Sequence, residues 1–227
     1  MTDFSGKKAI VLGGTSGIGL SISTMLRDSG AQVIAGGRRP AEIEGVGTVQ
    51  IDVLDRDALS TLFDEHTGFD ILVNAATGGP RAVGPLLEMD PDGFQGSFAK
   101  LWGYFNSVRL GAPHMSTTGS IVLVSGYPAR KWSPNMSAIG TVGGSVEAFI
   151  RHAANELAPR RVNGVCPGII DTPMMPMEGD ERRQYFEGAT ANHLIKRAGT
   201  ANECAQAAMF LLANDFVSGT IVDVDGG

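Results

Sequence analysis

Three glycines, Gly13, Gly17 and Gly19, follow the apolar run "KAIVL" and precede a stretch of helical periodicity. Glycines at a strand-to-helix turn let the backbone bend tightly and approach a diphosphate, whose charge then rests on the helix N-terminus. In "GGTSGIG" the intervening Thr15, Ser16 and Ile18 complete such a loop. About twenty residues on, "QVIAGGR" ends in Gly37 and Arg38, and Arg39 follows. An NAD site places a carboxylate there for the ribose 2′-hydroxyl. Here no acid would repel a 2′-phosphate, and a guanidinium can bind one through two hydrogen bonds. NADP(H) is therefore expected in preference to NAD(H), with Arg38 as the main contact. The alternative is that both arginines are a solvated loop edge.

The elements that must hold these groups alternate regularly. "KAIVLGG" (7–14), "QVIAGGR" (32–38), "TVQIDV" (48–53), "DILVNAA" (70–76), "GSIVLVSG" (119–126), "RVNGVCPG" (161–168) and "GTIVDVDGG" (219–227) read as strands. Helical patterns fall at 19–31, 55–66, most of 90–115, 142–157 and 201–215. Continuous apolar strands alternating with helices predict a parallel sheet covered on both faces. The expected architecture is a doubly wound α/β domain of Rossmann type with seven strands, occupying residues 1–227 as one domain.

Composition narrows the function. Apolar residues make up 43% of 227, enough for a sizeable core. A formal charge of −6 and a pI near 5.2 argue against a nucleic-acid binder, which would carry a basic field. No apolar run approaches the roughly 20 residues that span a bilayer, so no membrane partner is expected. The N-terminus enters a strand pattern at once and offers no signal-peptide region, which makes the cytoplasm the expected location. Cys166 and Cys204 are then free thiols, and no Cys/His group has metal-ligand spacing.

Over nearly its whole length the chain resembles the short-chain dehydrogenase/reductase family. The resemblance rests on "GGTSGIG" (13–19), "DV" (52–53), "ILVNAA" (71–76), "IVLVSG" (121–126), "ELAPRRVNGVCPGIIDTPM" (156–174) and the C-terminal 196–227. It implies a nicotinamide cofactor, a small-molecule substrate, and a homodimer or homotetramer. By position it implies Asp52 and Val53 beside the adenine, and Asn74, Ala75 and Ala76 at a strand end near the ribose. Pro167, Gly168, Ile169 and Thr172 would lie on the carboxamide side. Thr77 stands where the family has glycine. Residues 172–195 correspond to a lid over substrate, and Met174, Met175 and Met177 there hint at an apolar substrate or merely pack the lid down. Tyr185 and His193 are read as ordinary lid residues, and the loop 78–90 names no ligand.

The family protonates its product with a tyrosine whose partner lysine lies four residues on. Those positions hold Ile139 and Gly143, and no register repairs the loss. No tyrosine lies between Tyr127 and Tyr185, and no lysine between Lys131 and Lys196. Ser125 matches the serine that hydrogen-bonds the substrate carbonyl, and Lys100 occupies the position of a helix asparagine. Lys100 and Ser125 are the candidate replacement site, since a partly buried ammonium can stabilise an alkoxide or relay a proton. Tyr127 is a further donor candidate, or a pocket aromatic; Lys131 is a candidate, or a solvated loop charge. Three functions stay open: an oxidoreductase on a small carbonyl or alcohol, a cofactor-binding sensor or assembly partner without turnover, and a lyase or isomerase using the same cleft.

Overall fold

Strand-forming runs that are apolar on both faces must be covered on both faces, and the computed structural model, which describes residues 3–227, shows that arrangement. Its elements are β1 (Lys8–Leu12), α1 (Gly17–Asp28), β2 (Gln32–Gly37), β3 (Gly47–Gln50), α2 (Arg56–Glu65), β4 (Phe69–Asn74) and α3 (Pro91–Gly96). There follow α4 (Ala99–Gly111), β5 (Met115–Val124), α5 (Ser137–Glu156), β6 (Arg161–Pro167), β7 (Ile170–Asp171), α6 (Gly179–Ala189), β8 (Gly199–Thr200), α7 (Ala201–Ala213) and β9 (Ile221–Val224). Seven strands form one sheet in the order β3-β2-β1-β4-β5-β6-β9, every pairing parallel. The fold is the Rossmann-type sheet expected.

The strand order reverses between β1 and β4, where Leu12 pairs with Asn74. A doubly wound sheet opens its ligand crevice beyond the carboxyl ends of the strands at that reversal. One face of the sheet carries α4 and α5 over Ile10, Leu72, Tyr104, Ile121 and Ile150; the other carries α1 and α7 over Val11, Ile22, Val73, Val165 and Leu211. Truncating a fully buried residue such as Ile150 to alanine would cost about 2–5 kcal/mol. Among the described residues, no helix is long and apolar enough to cross a membrane.

Three boundaries differ from the sequence reading for identifiable reasons. β5 begins at Met115, before the expected 119, because Ser116–Gly119 lack the apolar signal although the backbone is already extended. A register irregularity against β4 lies in the same place. α5 begins at Ser137, before the expected 142, across Gly140, Gly143 and Gly144, which helix propensity disfavours. Packing supplies the reason: a Cβ on Gly140 would lie 2.7 Å from the Pro128 carbonyl oxygen. α6, with only Phe186 buried, lies in a segment with no apolar stripe.

Candidate functional site

The loop after β1 is built so that side chains cannot fill it. A Cβ on Gly13 (φ +73°) would lie 2.6 Å from the Ala76 amide nitrogen, and one on Gly19 would lie 2.0 Å from the Gly13 oxygen. The backbone of 13–19 is thereby folded onto itself and onto the end of β4. α1 opens at Ser16 with no side-chain cap and no acid in its first turn. By contrast, the Asp55 side chain accepts hydrogen bonds from two amides at the start of α2, and Thr200 and Glu203 form a capping box on α7. Helix α1 thus leaves its first-turn amides to an external anion, and the glycine cradle fits a diphosphate.

At the end of β2, a Cβ on Gly37 would lie 2.2 Å from Thr15 Oγ1. A side chain at 37 would therefore meet Thr15 of the loop 13–19. Arg38 and Arg39 are exposed, and among the described residues neither has an ion-pair partner. Asp52 accepts from the Leu54 amide at 2.9 Å, and Val53 is buried, its carbonyl accepting from Asn106 Nδ2 at 3.2 Å. Asn74 is fully buried. Its Nδ2 donates to Ser107 Oγ at 2.9 Å, and its Oδ1 accepts from the Ala76 amide at 2.9 Å. It shapes the turn through Ala75 and Ala76. Across the crevice, Gly17 lies near Thr172, a Cβ there being 3.6 Å from Thr172 Cβ. Pro167 ends β6, the Gly168 amide donates to the Val224 carbonyl, and the Ile169 carbonyl accepts from Gly199. Ile18 packs into the α1 face of the core.

Lys100 and Ser125 are adjacent, but not as the sequence suggested. Lys100 Nζ donates to the backbone carbonyl of Ser125 at 2.9 Å and lies 5.6 Å from the centre of the Tyr104 ring. The Ser125 hydroxyl turns toward α5, donating to Glu147 Oε1 at 3.2 Å. The expected partner of this hydroxyl was a substrate carbonyl; within the protein its partner is the buried Glu147 carboxylate. Gly126, the next residue, is extended, a Cβ there would just touch Pro128 Cδ at 3.8 Å, and it has no side chain to offer. The Tyr127 hydroxyl accepts from Ser133 Oγ at 2.9 Å, within its own loop, and Lys131 pairs with Asp225 at 2.8 Å. Neither reaches Lys100. Burial, then the nearby Arg81 charge, lowers the Lys100 pKa to about 8. Cys166 is pushed up to about 12 by burial and the negative charges of Asp223 and Glu147, and burial raises Tyr104 as well. Among the described residues, no carboxylate lies within ion-pair distance of Lys100.

Comparison with known proteins settles the family. The family model described as "Enoyl-(Acyl carrier protein) reductase" matches residues 13–227. A 3-oxoacyl-[acyl-carrier-protein] reductase of Thermotoga maritima is 30% identical, covering 98% of this chain and 97% of its own. A solved short chain dehydrogenase/reductase family protein is 32% identical with TM-score 0.86, over 100% of this chain and 98% of its own. The chain is a short-chain dehydrogenase/reductase. A further small-chain dehydrogenase, solved in complex with NADPH, is 27% identical with TM-score 0.86 over 97% of each chain. The family comprises NAD(P)(H)-dependent oxidoreductases.

Within this dehydrogenase/reductase positions 139 and 143 of α5 are not equivalent. Ile139 is partly buried. Gly143 is overlain by the turn Tyr127–Ala129, since a Cβ on it would lie 2.9 Å from Ala129 Cβ. Ile139→Tyr with Gly143→Lys is thus expected to lose about 1–3 kcal/mol to overpacking, and adding Ala129→Gly to recover much of it. Thermal unfolding of the double and triple variants checks this; equal stability of the two would contradict the contact.

Two groups escaped the sequence reading. Arg130 Nε donates to Glu147 Oε1 at 3.0 Å and lies 3.3 Å from Asp223, forming with Ser125 a network that satisfies the buried Glu147. Arg81, from the loop that named no ligand, lies near enough to depress Lys100. Its Nη2 donates to Met174 Sδ at 2.8 Å.

Proposed function

We propose that the protein is an NADPH-preferring reductase of small carbonyl compounds in which Lys100 donates the product's proton. The carrying observation is the position of Lys100: partly buried, without a countercharge, and held at the end of β5 through the Ser125 carbonyl. The bound nicotinamide supplies the hydride. Gly13, Gly17, Gly19 and the first turn of α1 would hold its diphosphate, and Arg38 with Arg39 the 2′-phosphate. Lys100, with N–H groups not spent on Ser125, neutralises the alkoxide and passes a proton to it. Ser125 contributes its carbonyl, which orients the ammonium.

The protonated amine is the working form in reduction. Because the Lys100 pKa is depressed to about 8, that form is complete below this value and is lost above it. The reductase rate at saturating NADPH is expected to be flat below pH 8 and to fall about tenfold per unit above it. A rate rising through this range would assign Lys100 the opposite role.

Residues 172–195 serve as the substrate lid. Arg182 anchors it, donating to the Thr172, Met175 and Met177 carbonyls at 2.9, 2.8 and 3.0 Å and pairing with Asp171. Self-association through α4 is supported by exposed Trp102 and Phe105, the latter against Phe149 of α5. A second reading, cofactor binding without turnover, draws on the engaged hydroxyls of Ser125 and Tyr127. NADPH oxidation across a panel of ketones and aldehydes decides: saturable oxidation supports the reductase, and tight NADPH binding with no oxidation overturns it.

A further inference from the structure

Arg81 is placed, not loose. Three residues around it are tied down. Gly78 (φ +76°) is seated on the start of α4, where a Cβ would lie 2.5 Å from the Ala99 carbonyl. The Ala82 amide donates to Ser97 Oγ at 2.8 Å, and the Gly84 amide to the Asn135 carbonyl at 3.0 Å. Ser97 is itself buried and donates to the Gly93 carbonyl at 2.9 Å. From this mount the guanidinium reaches Met174, beyond β7, and so spans the crevice between the β4 side and the lid side.

Arg81 is exposed at the mouth of the crevice. Its one side-chain acceptor is a thioether sulfur, which accepts weakly. Among the described residues, no carboxylate lies within ion-pair distance of Arg81 or of Lys100, although their charges act on one another. Apart from Arg38 and Arg39, three cations on this side are matched: Arg130 with Glu147 and Asp223, Lys131 with Asp225, Arg182 with Asp171. Gly78 seats the Arg81 loop against the backbone of Ala99 and Lys100, so two cations with no carboxylate at ion-pair distance among the described residues share one crevice; such a pair receives an anion, and a guanidinium suits a planar carboxylate.

We propose that Arg81 anchors a carboxylate of the substrate, so that this reductase takes oxo acids with the carbonyl directed at Lys100. The proposal rests on the reductase reading for the carbonyl, but not for the carboxylate. The cofactor's phosphates are assigned to the loop 13–19 and to Arg38 and Arg39, and a substrate anion is what remains for Arg81.

The test pairs each acid with its neutral ester: acetoacetate with methyl acetoacetate, and levulinate with methyl levulinate. Binding to the NADP⁺-saturated protein is measured calorimetrically, and turnover by NADPH oxidation. The acids are expected to bind at least tenfold tighter than the esters. Arg81→Met is expected to lower acid affinity and acid kcat/KM about 10–100-fold, bringing the acid-to-ester ratio toward one. Arg81→Lys, which keeps the charge but not the planar pair of donors, is expected to fall between. Equal binding of acid and ester, no acid binding at high millimolar concentration, or an equal fall in NADPH affinity in Arg81→Met overturns the proposal. Acid binding that depends on Arg81 without NADPH oxidation upholds it and removes the reductase reading. Oxidation with no acid preference does the reverse.

Discussion

Replacing Lys100 by methionine is expected to lower NADPH-dependent turnover about 10²–10⁴-fold, the usual contribution of a positioned proton donor. Methionine matches the length and apolar stem of lysine, and Tyr104 remains beside it. The change removes the donor to the Ser125 carbonyl, which costs about 1–3 kcal/mol if that oxygen is left dry. It also removes the burden of a desolvated ammonium, so the two effects oppose and the melting temperature should move little. Lys100→Arg separates charge from proton transfer, because a guanidinium stays protonated at working pH. It should keep substrate binding and still lose turnover. Steady-state and single-turnover kinetics with NADPH make the measurement. Turnover of Lys100→Met within twofold of the parent would remove Lys100 from the chemistry.

The second large effect is expected at Gly19. A Cβ there would lie 2.0 Å from the Gly13 oxygen and 2.7 Å from its carbonyl carbon, both backbone atoms that no rotamer can move. Gly19→Ala must open the loop itself. NADPH affinity is expected to fall at least 100-fold, about 3 kcal/mol, with a clear loss of thermal stability. Gly17→Ala is the informative comparison. Its Cβ has room, 3.6 Å from Thr172 Cβ, so its cost is the left-handed backbone alone, about 1–2 kcal/mol. Fluorescence titration with NADPH should rank Gly19→Ala well below Gly17→Ala. Equal affinities would mean that the loop does not grip the dinucleotide through its backbone.

The sheet was readable because its strands announce themselves. "AIVL", "ILV", "IVLV" and the β6 run are buried on both faces, so their apolar runs are continuous and need no partner to be recognised. The phosphate loop was readable because backbone geometry demands glycine at fixed places. The direction of the Ser125 hydroxyl was not, since it depends on which side of the strand end faces α5, and one residue reverses it. The role of Arg81 was hidden further: its contact with Met174 spans 93 positions and exists only when two loops meet. Asn74 shows the converse. Its position at the strand end was right, yet burial turned its amide inward to Ser107.

The contact between Gly143 and Ala129 bears on the ancestry of the site. A lysine returning to position 143 finds the turn already settled against the helix, so a one-step reversion meets a folding penalty before it yields any benefit. Recovery has to begin with a neighbour that does no chemistry, such as Ala129→Gly. Relatives that carry a lysine at the position of Gly143 should therefore show glycine, or a displaced turn, at the position of Ala129.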